Sequence, residues 1–396
     1  MIKFLAYLVI HCAYPFSFLF PRSKRKWAFG SFRGAFNDNA KYLFIYCANN
    51  VPDVRCVWLS MNGQTVRSVR EKGFEAYNIL SPKGLLFALT SKYWFFNSYT
   101  SDILYSASGG AVAVNLWHGL MLKRIEFSIT SGPLADRFVK KTLKERFYHP
   151  ETYRRPDFVL SADSFQTDIF AKDFRVDRSQ CLEFGYPRNM LFFKQKYEIL
   201  EFIRKYEPAD TLALVGRMKQ YSRTYIYMPT WRDSQREVFV QSMDLGRLDE
   251  VLKSKNEFLI LKPHVNVIVD GIDGSRYSNI LLLDGKVDVY SIIPFVDVLI
   301  TDYSSILYDY VLMSGKGVIL YLYDYDEYVS ERDFEVPFDE NVVGRRAMDF
   351  EQLLESVSSE DYWLDEKDRQ FLKNRYWGTS GDRAAEMIAG YFHSKI

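Results

Sequence analysis

Four short polar segments carry the side chains of this sequence that could do chemistry, and each follows an apolar, β-rich stretch. They are Trp117-His118-Gly119, Thr230-Trp231-Arg232, Lys262-Pro263-His264 and Asp302-Tyr303-Ser304-Ser305. An imidazole accepts protons near neutral pH, whereas guanidinium, ammonium and hydroxyl groups hold phosphate oxygens. The combination predicts transfer of a group from a nucleotide-activated donor.

His118 is predicted to lie on a loop directly after a buried strand at 111–116. Gly119 allows close approach of the backbone at this point. A lone histidine is more often a cap or a core residue. Because ligands of parallel sheets bind beyond the carboxyl ends of the strands, the position of His118 favours a functional role.

Two further segments are predicted to hold the phosphates of the donor. Thr230 offers a hydroxyl and Arg232 a guanidinium fork, with a surface pair between Arg232 and Asp233 as the alternative. Lys262 and His264 leave a predicted strand, 258–261, together. A merely solvated basic turn is the alternative for this pair.

The fourth segment lies between a predicted strand, 298–301, and a predicted helix, 305–313. Free backbone N–H groups, the hydroxyls of Ser304 and Ser305 and the positive end of the helix dipole would favour an anion there. Simple N-capping is the alternative, and it is compatible with phosphate binding because both use the same donors.

Composition and motifs exclude several other classes of protein. The net charge is +1, which argues against a nucleic-acid-binding protein. The sequence contains neither a P-loop motif nor a clean G-x-G-x-x-G. Its four cysteines are far apart and form no C-x-x-C pair, so neither a zinc site nor a disulfide framework is predicted. No cofactor and no metal ligand are assigned; a divalent cation is allowed, without a dedicated ligand cluster.

Strands that alternate with helices predict an α/β fold of two doubly wound domains facing each other across a cleft. At 396 residues the chain is long enough for two domains. A polar stretch, 197–210, separates the two series of strands. The predicted organisation is a membrane-associating segment at 1–25, an acceptor-side domain at 26–200, a nucleotide-binding domain at 201–364 and a helical tail at 365–396.

The first 20 residues are almost wholly apolar, and the basic run 22–26 follows them. No small-x-small site precedes that run, which disfavours a signal peptide. Pro15 divides a stretch that barely reaches the roughly 20 residues a membrane span needs. An interfacial anchor is therefore favoured, with a helix packed on its own domain as the alternative.

A second basic run lies at 137–155, where Arg137, Lys141 and Lys144 are predicted to share a helical face. Such a face is either simply solvated or directed towards lipid or a polyanion.

The sequence resembles the CDP-glycerol glycerophosphotransferases, which build teichoic acids and some capsules. The strings that carry the resemblance are Trp27-Ala28-Phe29-Gly30-Ser31, Asp38-Asn39-Ala40-Lys41-Tyr42, Trp117-His118-Gly119, Gly185-Tyr186-Pro187-Arg188-Asn189, Pro229-Thr230-Trp231-Arg232, Lys262-Pro263-His264 and Thr301-Asp302-Tyr303-Ser304-Ser305. The sequence departs from the family at Gly119-Leu120-Met121 and at 341–344, which bears on the identity of the acceptor and of the polyol.

The resemblance implies a GT-B-like fold and the site residues. It implies functional histidines at His118 and His264. It assigns the donor pyrophosphate to Thr230, Arg232, Ser304 and Ser305, with Asp302 beside them. Lys262, from the third segment, is a further predicted donor-binding residue. Gly119, Arg188 and Asn189 are further predicted cleft residues.

The expected reaction is transfer of a polyol phosphate, glycerol phosphate above all, from a CDP-linked donor to a hydroxyl of a teichoic-acid-like or capsular polymer. The acceptor is expected to be lipid-linked or capsular, and the protein to be peripheral or monotopic at the cytoplasmic face of the bacterial membrane. The alternatives are a nucleotide-sugar glycosyltransferase on the same fold and a non-catalytic assembly protein.

Overall fold

The computed structural model of the chain describes residues 2–132, 134–230, 242–262, 276–284, 287–331, 333–378 and 381–396. Two compact units are present. Unit 1 contains Met1–His118, Ile125–Met190 and Trp377–Ile396, and unit 2 contains Gly119–Arg124 and Leu191–Tyr376. The chain thus leaves unit 1 directly after His118, returns to it at Ile125, and comes back to it again for its last helix.

Unit 1 is built on a parallel sheet of seven strands in the order β3-β2-β1-β4-β5-β6-β7. The strands are β1 (Ser23–Phe29), β2 (Arg55–Ser60), β3 (Ala76–Asn78), β4 (Ser91–Phe96), β5 (Val112–Asn115), β6 (Phe158–Ser161) and β7 (Cys181–Glu183). The order reverses between β1 and β4, as in doubly wound folds.

The α-helices of unit 1 lie at Ile2–Phe16, Asp38–Asn50, Gly63–Glu71, Pro82–Thr90, Ala135–Phe138, Leu143–Tyr148, Pro150–Tyr153, Ser164–Phe174 and Ala384–His393. The last of these returns to the sheet, where the Phe392 ring lies 5.1 Å from Tyr93 and 5.2 Å from Phe95. Aromatic residues make up 17% of the sequence, and some of them form an aromatic core on this face of the sheet.

Unit 2 is built on a second parallel sheet, with the order β10-β9-β8-β11-β12-β13. Its strands are β8 (Arg223–Met228), β9 (Glu257–Leu261), β10 (Ile280–Leu282), β11 (Val298–Thr301), β12 (Gly317–Tyr321) and β13 (Arg345–Ala347). The order reverses between β8 and β11, so ligands are expected at the carboxyl ends of these two strands. The parallel sheets confirm the predicted α/β class.

The described α-helices of unit 2 lie at Lys196–Tyr206, Ala209–Met218, Leu245–Lys255, Val289–Ile292, Ile306–Tyr310, Tyr325–Glu331, Phe350–Ser359 and Glu366–Trp377. The last of these helices ends at Trp377, which is the first residue of the segment Trp377–Ile396 of unit 1. Two of them occupy most of the polar stretch 197–210. The first buries Ile199, Ile203 and Tyr206 on one face, a helical period within a polar composition. The predicted helix 305–313 is shorter, at Ile306–Tyr310.

The predicted helical face that joins Arg137, Lys141 and Lys144 is wrong. The chain forms two short helices, Ala135–Phe138 and Leu143–Tyr148, and Lys141 between them has a φ of 51°. A left-handed residue interrupts the helical period, so the three side chains do not share one helix.

The N-terminal helix runs without a break from Ile2 to Phe16, with Pro15 inside its last turn. One face packs on unit 1, where the Tyr14 ring stacks on Tyr105 at 4.6 Å. Among the described residues, no helix has the length and apolar character needed to cross a membrane.

Arg22, from the basic run, is held by the protein. Its guanidinium donates hydrogen bonds to the carbonyls of Gly109 at 2.8 Å, Ala88 at 2.9 Å and Ser91 at 2.7 Å. Burial lowers the pKa of Arg22 to about 10. This cation is therefore a structural element of unit 1.

Candidate active site

His118 follows β5, on a turn that the sequence itself shapes. The side chain of Asn115, the last residue of β5, accepts a hydrogen bond from the backbone N–H of Trp117 at 2.9 Å. Trp117 has a φ of 52°, a left-handed conformation that is uncommon outside glycine. The tight turn presents the His118 side chain to solvent at the carboxyl end of the sheet.

The hydrogen bond of the imidazole fixes its tautomer. His118 Nδ1 lies 3.1 Å from the carbonyl oxygen of Asn97. A carbonyl only accepts hydrogen bonds, so Nδ1 must carry the hydrogen and the neutral ring presents an unprotonated Nε2. That is the form a general base requires.

The carbonyl that holds His118 is itself fixed by Asp102. The Asp102 carboxylate accepts hydrogen bonds from the N–H groups of Asn97 at 3.1 Å and Ser98 at 2.8 Å. The Asn97 side chain accepts another from the N–H of Ala40 at 3.0 Å. Burial raises the pKa of Asp102 to about 7, while the backbone N–H groups oppose that shift. We assign Asp102 and Asn97 as positioning residues, which the sequence analysis missed.

Arg188 supports the His118 turn from within the protein. Its Nη1 donates to the carbonyl of His118 at 2.7 Å and to the Asp38 carboxylate at 3.0 Å. Asn39 accepts from the N–H of Arg188 at 3.1 Å and donates to the carbonyl of Trp117 at 2.9 Å. Arg188 is 1% exposed, so this predicted cleft residue is placed to orient the turn. Asn189 is buried beside it.

The surroundings of His118 also shift its proton affinity. Desolvation by the surrounding protein lowers its pKa below the ordinary 6.5, although part of the side chain stays accessible to solvent. The Asp38 carboxylate and the Asn97 carbonyl oppose that shift. Since the net direction is downwards, His118 is neutral at pH 7 and available as a base.

In unit 2, Thr230 and Asp302 meet at the reversal point of the sheet. Thr230 comes shortly after β8 and Asp302 directly after β11. The N–H of Thr230 lies 2.9 and 3.1 Å from the two carboxylate oxygens of Asp302, which is 1% exposed. Asp302 thus fixes the loop that carries Thr230.

Ser304 and Ser305 lie next to this pair, both partly exposed. Ser304 Oγ accepts from the N–H of Ile306 at 3.4 Å, a long contact at the start of the short helix. Gly119, also in unit 2, packs against them: a Cβ added at Gly119 would lie 2.8 Å from Ser305 Oγ. Only glycine fits this position without displacing the serine.

Lys262 follows β9, and its N–H donates to the carbonyl of Tyr227 at 2.9 Å. Desolvation lowers the pKa of Lys262, and Asp288 and Asp284 oppose the shift. Two other predicted site residues, Arg232 and His264, lie outside the described residues. Within the described ranges, no group of three or more histidine, cysteine or acidic side chains could hold a metal ion.

Asn341, in one of the segments that depart from the family pattern, has a structural role. Its side chain donates to the carbonyl of Pro337 at 2.7 Å and accepts from the Tyr376 hydroxyl at 2.5 Å. The Tyr308 hydroxyl donates to its carbonyl at 3.0 Å. Asn341 is completely buried, so this departure supports the interior of unit 2.

Curated relatives of this chain act in teichoic acid synthesis. The chain is 24% identical over 358 residues to the teichoic acid poly(glycerol phosphate) polymerase of Bacillus subtilis, covering 87% of this chain and 45% of that protein. It is 26% identical over 359 residues to the teichoic acid glycerol-phosphate transferase of Staphylococcus aureus, covering 88% and 86%. The chain spans about half the length of the glycerol-phosphate polymerases of Bacillus subtilis and Staphylococcus epidermidis.

A solved structure of the wall teichoic acid polymerase TagF matches with a TM-score of 0.75 and 24% identity, covering 94% of this chain and 90% of that one. A putative UDP-N-acetylglucosamine 2-epimerase from Listeria monocytogenes matches with a TM-score of 0.52 and 12% identity, covering 93% and 96%. Both likenesses concern the fold, which is GT-B-like. The sequence profile of one family, CDP-glycerol:poly(glycerophosphate) glycerophosphotransferase, matches residues 12–393. The chain therefore belongs to that family, as its motifs indicate.

Proposed function

We propose that this protein transfers glycerol phosphate from CDP-glycerol to a hydroxyl of a teichoic-acid-like or capsular polymer and releases CMP. The observation that carries the proposal is the hydrogen bond between His118 Nδ1 and the Asn97 carbonyl, because it leaves Nε2 of the neutral ring to accept a proton. Family membership supports the class of donor. The loops after β8 and β11 in unit 2, which contain Thr230, Ser304 and Ser305, supply hydroxyls where a doubly wound sheet binds its ligand.

In the proposed reaction, the acceptor hydroxyl attacks the β-phosphorus of the donor while His118 Nε2 removes its proton. The bond between the β-phosphorus and the bridging oxygen breaks, and CMP leaves with that oxygen. Thr230, Ser304 and Ser305 hydrogen-bond to the pyrophosphate, and the cations Lys262 and Arg232 balance its charge. We assign His264 to stabilising the phosphate or protonating the leaving group.

An assay of the released nucleotide tests this function. The protein should release CMP from CDP-glycerol when a glycerol-phosphate-primed acceptor is present, faster than from CDP-ribitol, and should release no UDP from UDP-sugars. A preference for CDP-ribitol would overturn the assignment of the polyol. Release of UDP would favour the alternative, a nucleotide-sugar glycosyltransferase, for which the likeness to the epimerase supports only the fold.

We propose in addition that unit 1 attaches to the anionic cytoplasmic face of the bacterial membrane, which would hold the enzyme near a lipid-linked acceptor. The N-terminal helix carries an exposed apolar stripe of Phe4, Leu5, Leu8, Val9 and Phe16, of which Val9 is 66% exposed. These residues recur at helical spacing, and Phe4 lies at the edge of the stripe, next to the packed side chains. An exposed apolar face with basic neighbours is typical of interfacial helices.

The second basic run contributes to the same surface. Phe147 lies on helix Leu143–Tyr148, and its ring stacks on Phe4 at 5.1 Å. The backbone carbonyl oxygen of Phe147 lies 2.9 Å from His11 Nε2. That helix exposes Leu143 and Lys144. Each exposed lysine near an anionic leaflet adds about 1 kcal/mol to binding, so the apolar stripe and the cations act together.

Substituting the exposed stripe should release the protein from vesicles. Leu5→Glu combined with Leu8→Glu should lower partitioning onto anionic vesicles at least ~10-fold. Burying one leucine side chain stabilises the bound state by about 1.5–3 kcal/mol, and each substitution removes that contribution. Vesicle flotation measures this change. Activity on a water-soluble acceptor analogue should persist, whereas deletion of the whole segment would also remove the packing of Tyr14 on Tyr105.

Met348→Glu combined with Met387→Glu is the matched control, because both methionines are exposed outside this surface. Full flotation of the leucine variant, or an equal loss in the methionine variant, would contradict membrane attachment through this stripe.

A further inference from the structure

A small cavity lies within unit 1, beside the His118 turn. Its volume is about 20 Å³, and the loops that follow β4 and β5 form part of its wall. Asn115, at the end of β5, and Ser98, next to the Asn97 that binds His118, both line it. Phe174 also lines it and contacts Trp117, with ring centroids 4.9 Å apart.

The cavity gathers buried polar atoms that have no hydrogen-bond partner among the described residues. They are Thr100 Oγ1, Thr152 Oγ1, Arg154 Nη1 and Arg175 Nε, all on residues that line the cavity. Both threonines are 3% exposed. Leaving one buried polar group unpaired costs about 1–3 kcal/mol, so such groups are rare in native proteins. Four around one cavity indicate an occupant that pairs with them.

The guanidinium of Arg154 is held so that one nitrogen remains for a ligand. Its Nη2 donates to the carbonyls of Ala111 at 3.0 Å and Ser108 at 3.2 Å. The Arg175 side chain is fixed against the Phe127 ring, 3.4 Å from its centroid. The remaining N–H groups are therefore preorganised donors rather than mobile surface cations.

Glu126 supplies a carboxyl group in the same cavity. It is 7% exposed, and its Oε1 accepts a hydrogen bond from the Tyr99 hydroxyl at 2.5 Å. The cavity thus combines an acceptor with guanidinium and hydroxyl donors. An alcohol both donates and accepts, so it suits this set.

The size of the cavity favours the same choice. About 20 Å³ accommodates roughly one water molecule, and a hydroxyl is of that size while a phosphate group is larger. We propose that this cavity binds a hydroxyl of the polyol acceptor next to the one that reacts at His118. The inference rests on the proposed function, because it names the part of the acceptor that unit 1 recognises.

Removing the two threonine hydroxyls tests the inference. Thr100→Val combined with Thr152→Val keeps the shape of both side chains and removes two hydrogen-bonding groups. The KM for a glycerol-phosphate-primed acceptor should rise roughly 10-fold, since each lost hydrogen bond weakens binding severalfold. The KM for CDP-glycerol should stay unchanged. Thr211→Val is the matched control, because Thr211 is also buried, without a partner among the described residues, but lies in unit 2.

A binding measurement separates this inference from the proposed reaction. Saturation-transfer NMR on the full chain, with glycerol 1-phosphate as the probe, should detect contact in the native protein and lose it in the double variant. Contact that persists in the variant, absence of contact in the native protein, or an unchanged acceptor KM would overturn the inference and leave a cavity that holds only water. Failure of the native protein to release CMP, with the NMR contact intact, would instead count against the proposed reaction.

Discussion

Replacing His118 with alanine is expected to lower the turnover number by about 10²–10⁴-fold, the usual contribution of a general base. The acceptor hydroxyl must lose its proton as it attacks phosphorus, and the hydrogen bond of His118 Nδ1 to the Asn97 carbonyl leaves Nε2 of the neutral ring to accept that proton. Affinity for CDP-glycerol should change little, because the proposed donor groups lie on other loops. Single-turnover kinetics gives the chemical rate, and titration calorimetry gives the affinity for the donor.

The pH profile supplies a second readout of the same residue. The pKa of His118 is lowered from its ordinary value of 6.5, so the ring stays neutral at pH 7 and takes up its proton only at lower pH. The acid limb of kcat/KM should therefore have its midpoint below 6.5. His393→Ala is a suitable control, because this histidine is exposed on the C-terminal helix. It lies 3.0 Å from Asp53. Unchanged turnover in His118→Ala would remove this residue from the mechanism.

Replacing both Ser304 and Ser305 with alanine is expected to weaken binding of CDP-glycerol by roughly 100-fold. A hydrogen bond to a charged group contributes about 1.5–3 kcal/mol, so the loss of two is a large effect. The expected effect on folding is small, since the cap contact of Ser304 is a long one at 3.4 Å and the helix that follows has five residues. Calorimetry with CDP-glycerol and a thermal melt separate the two effects.

Ser81→Ala provides the comparison for the loss of a cap. Ser81 caps helix Pro82–Thr90 in unit 1, where its Oγ accepts from the N–H of Gly84 at 3.1 Å. That variant should lose about 1 kcal/mol of stability while keeping its affinity for the donor. If the double serine variant instead lost stability and bound the donor normally, Ser304 and Ser305 would be helix caps only.

Periodicity and strand ends in the sequence determined much of the fold. The predicted strand 298–301 has the bounds that the structure gives it, and the predicted strand 258–261 lies within Glu257–Leu261. Buried strands of a parallel sheet are short, continuous apolar runs, and the polar residues after them are visible as breaks in those runs. The position of His118 at the end of a strand could therefore be predicted from local sequence alone.

Only the tertiary structure decided how His118 is held. Its turn depends on Asn39, Asn97, Asp102 and Arg188, which come from three separate segments of the chain. Asn39 and Arg188 lie in strings that carry the family resemblance, yet neither string indicates a contact with the histidine turn. Contacts between residues far apart in sequence leave no local periodicity, because the order of the strands in the sheet determines which loops meet.

The same reason applies to the proposed membrane surface and to the cavity. The helical period that was predicted to join Arg137 with Lys144 fails at Lys141, which adopts a left-handed conformation, while packing of Phe147 on Phe4 joins two segments that are distant in sequence. The other residues that line the cavity with Thr100 and Thr152 are likewise brought together by the sheet. The sequence by itself determined the elements and the polar residues at their ends. The packing of those elements decided which residues are buried together, and burial is what makes an unpaired hydroxyl or a shifted pKa informative.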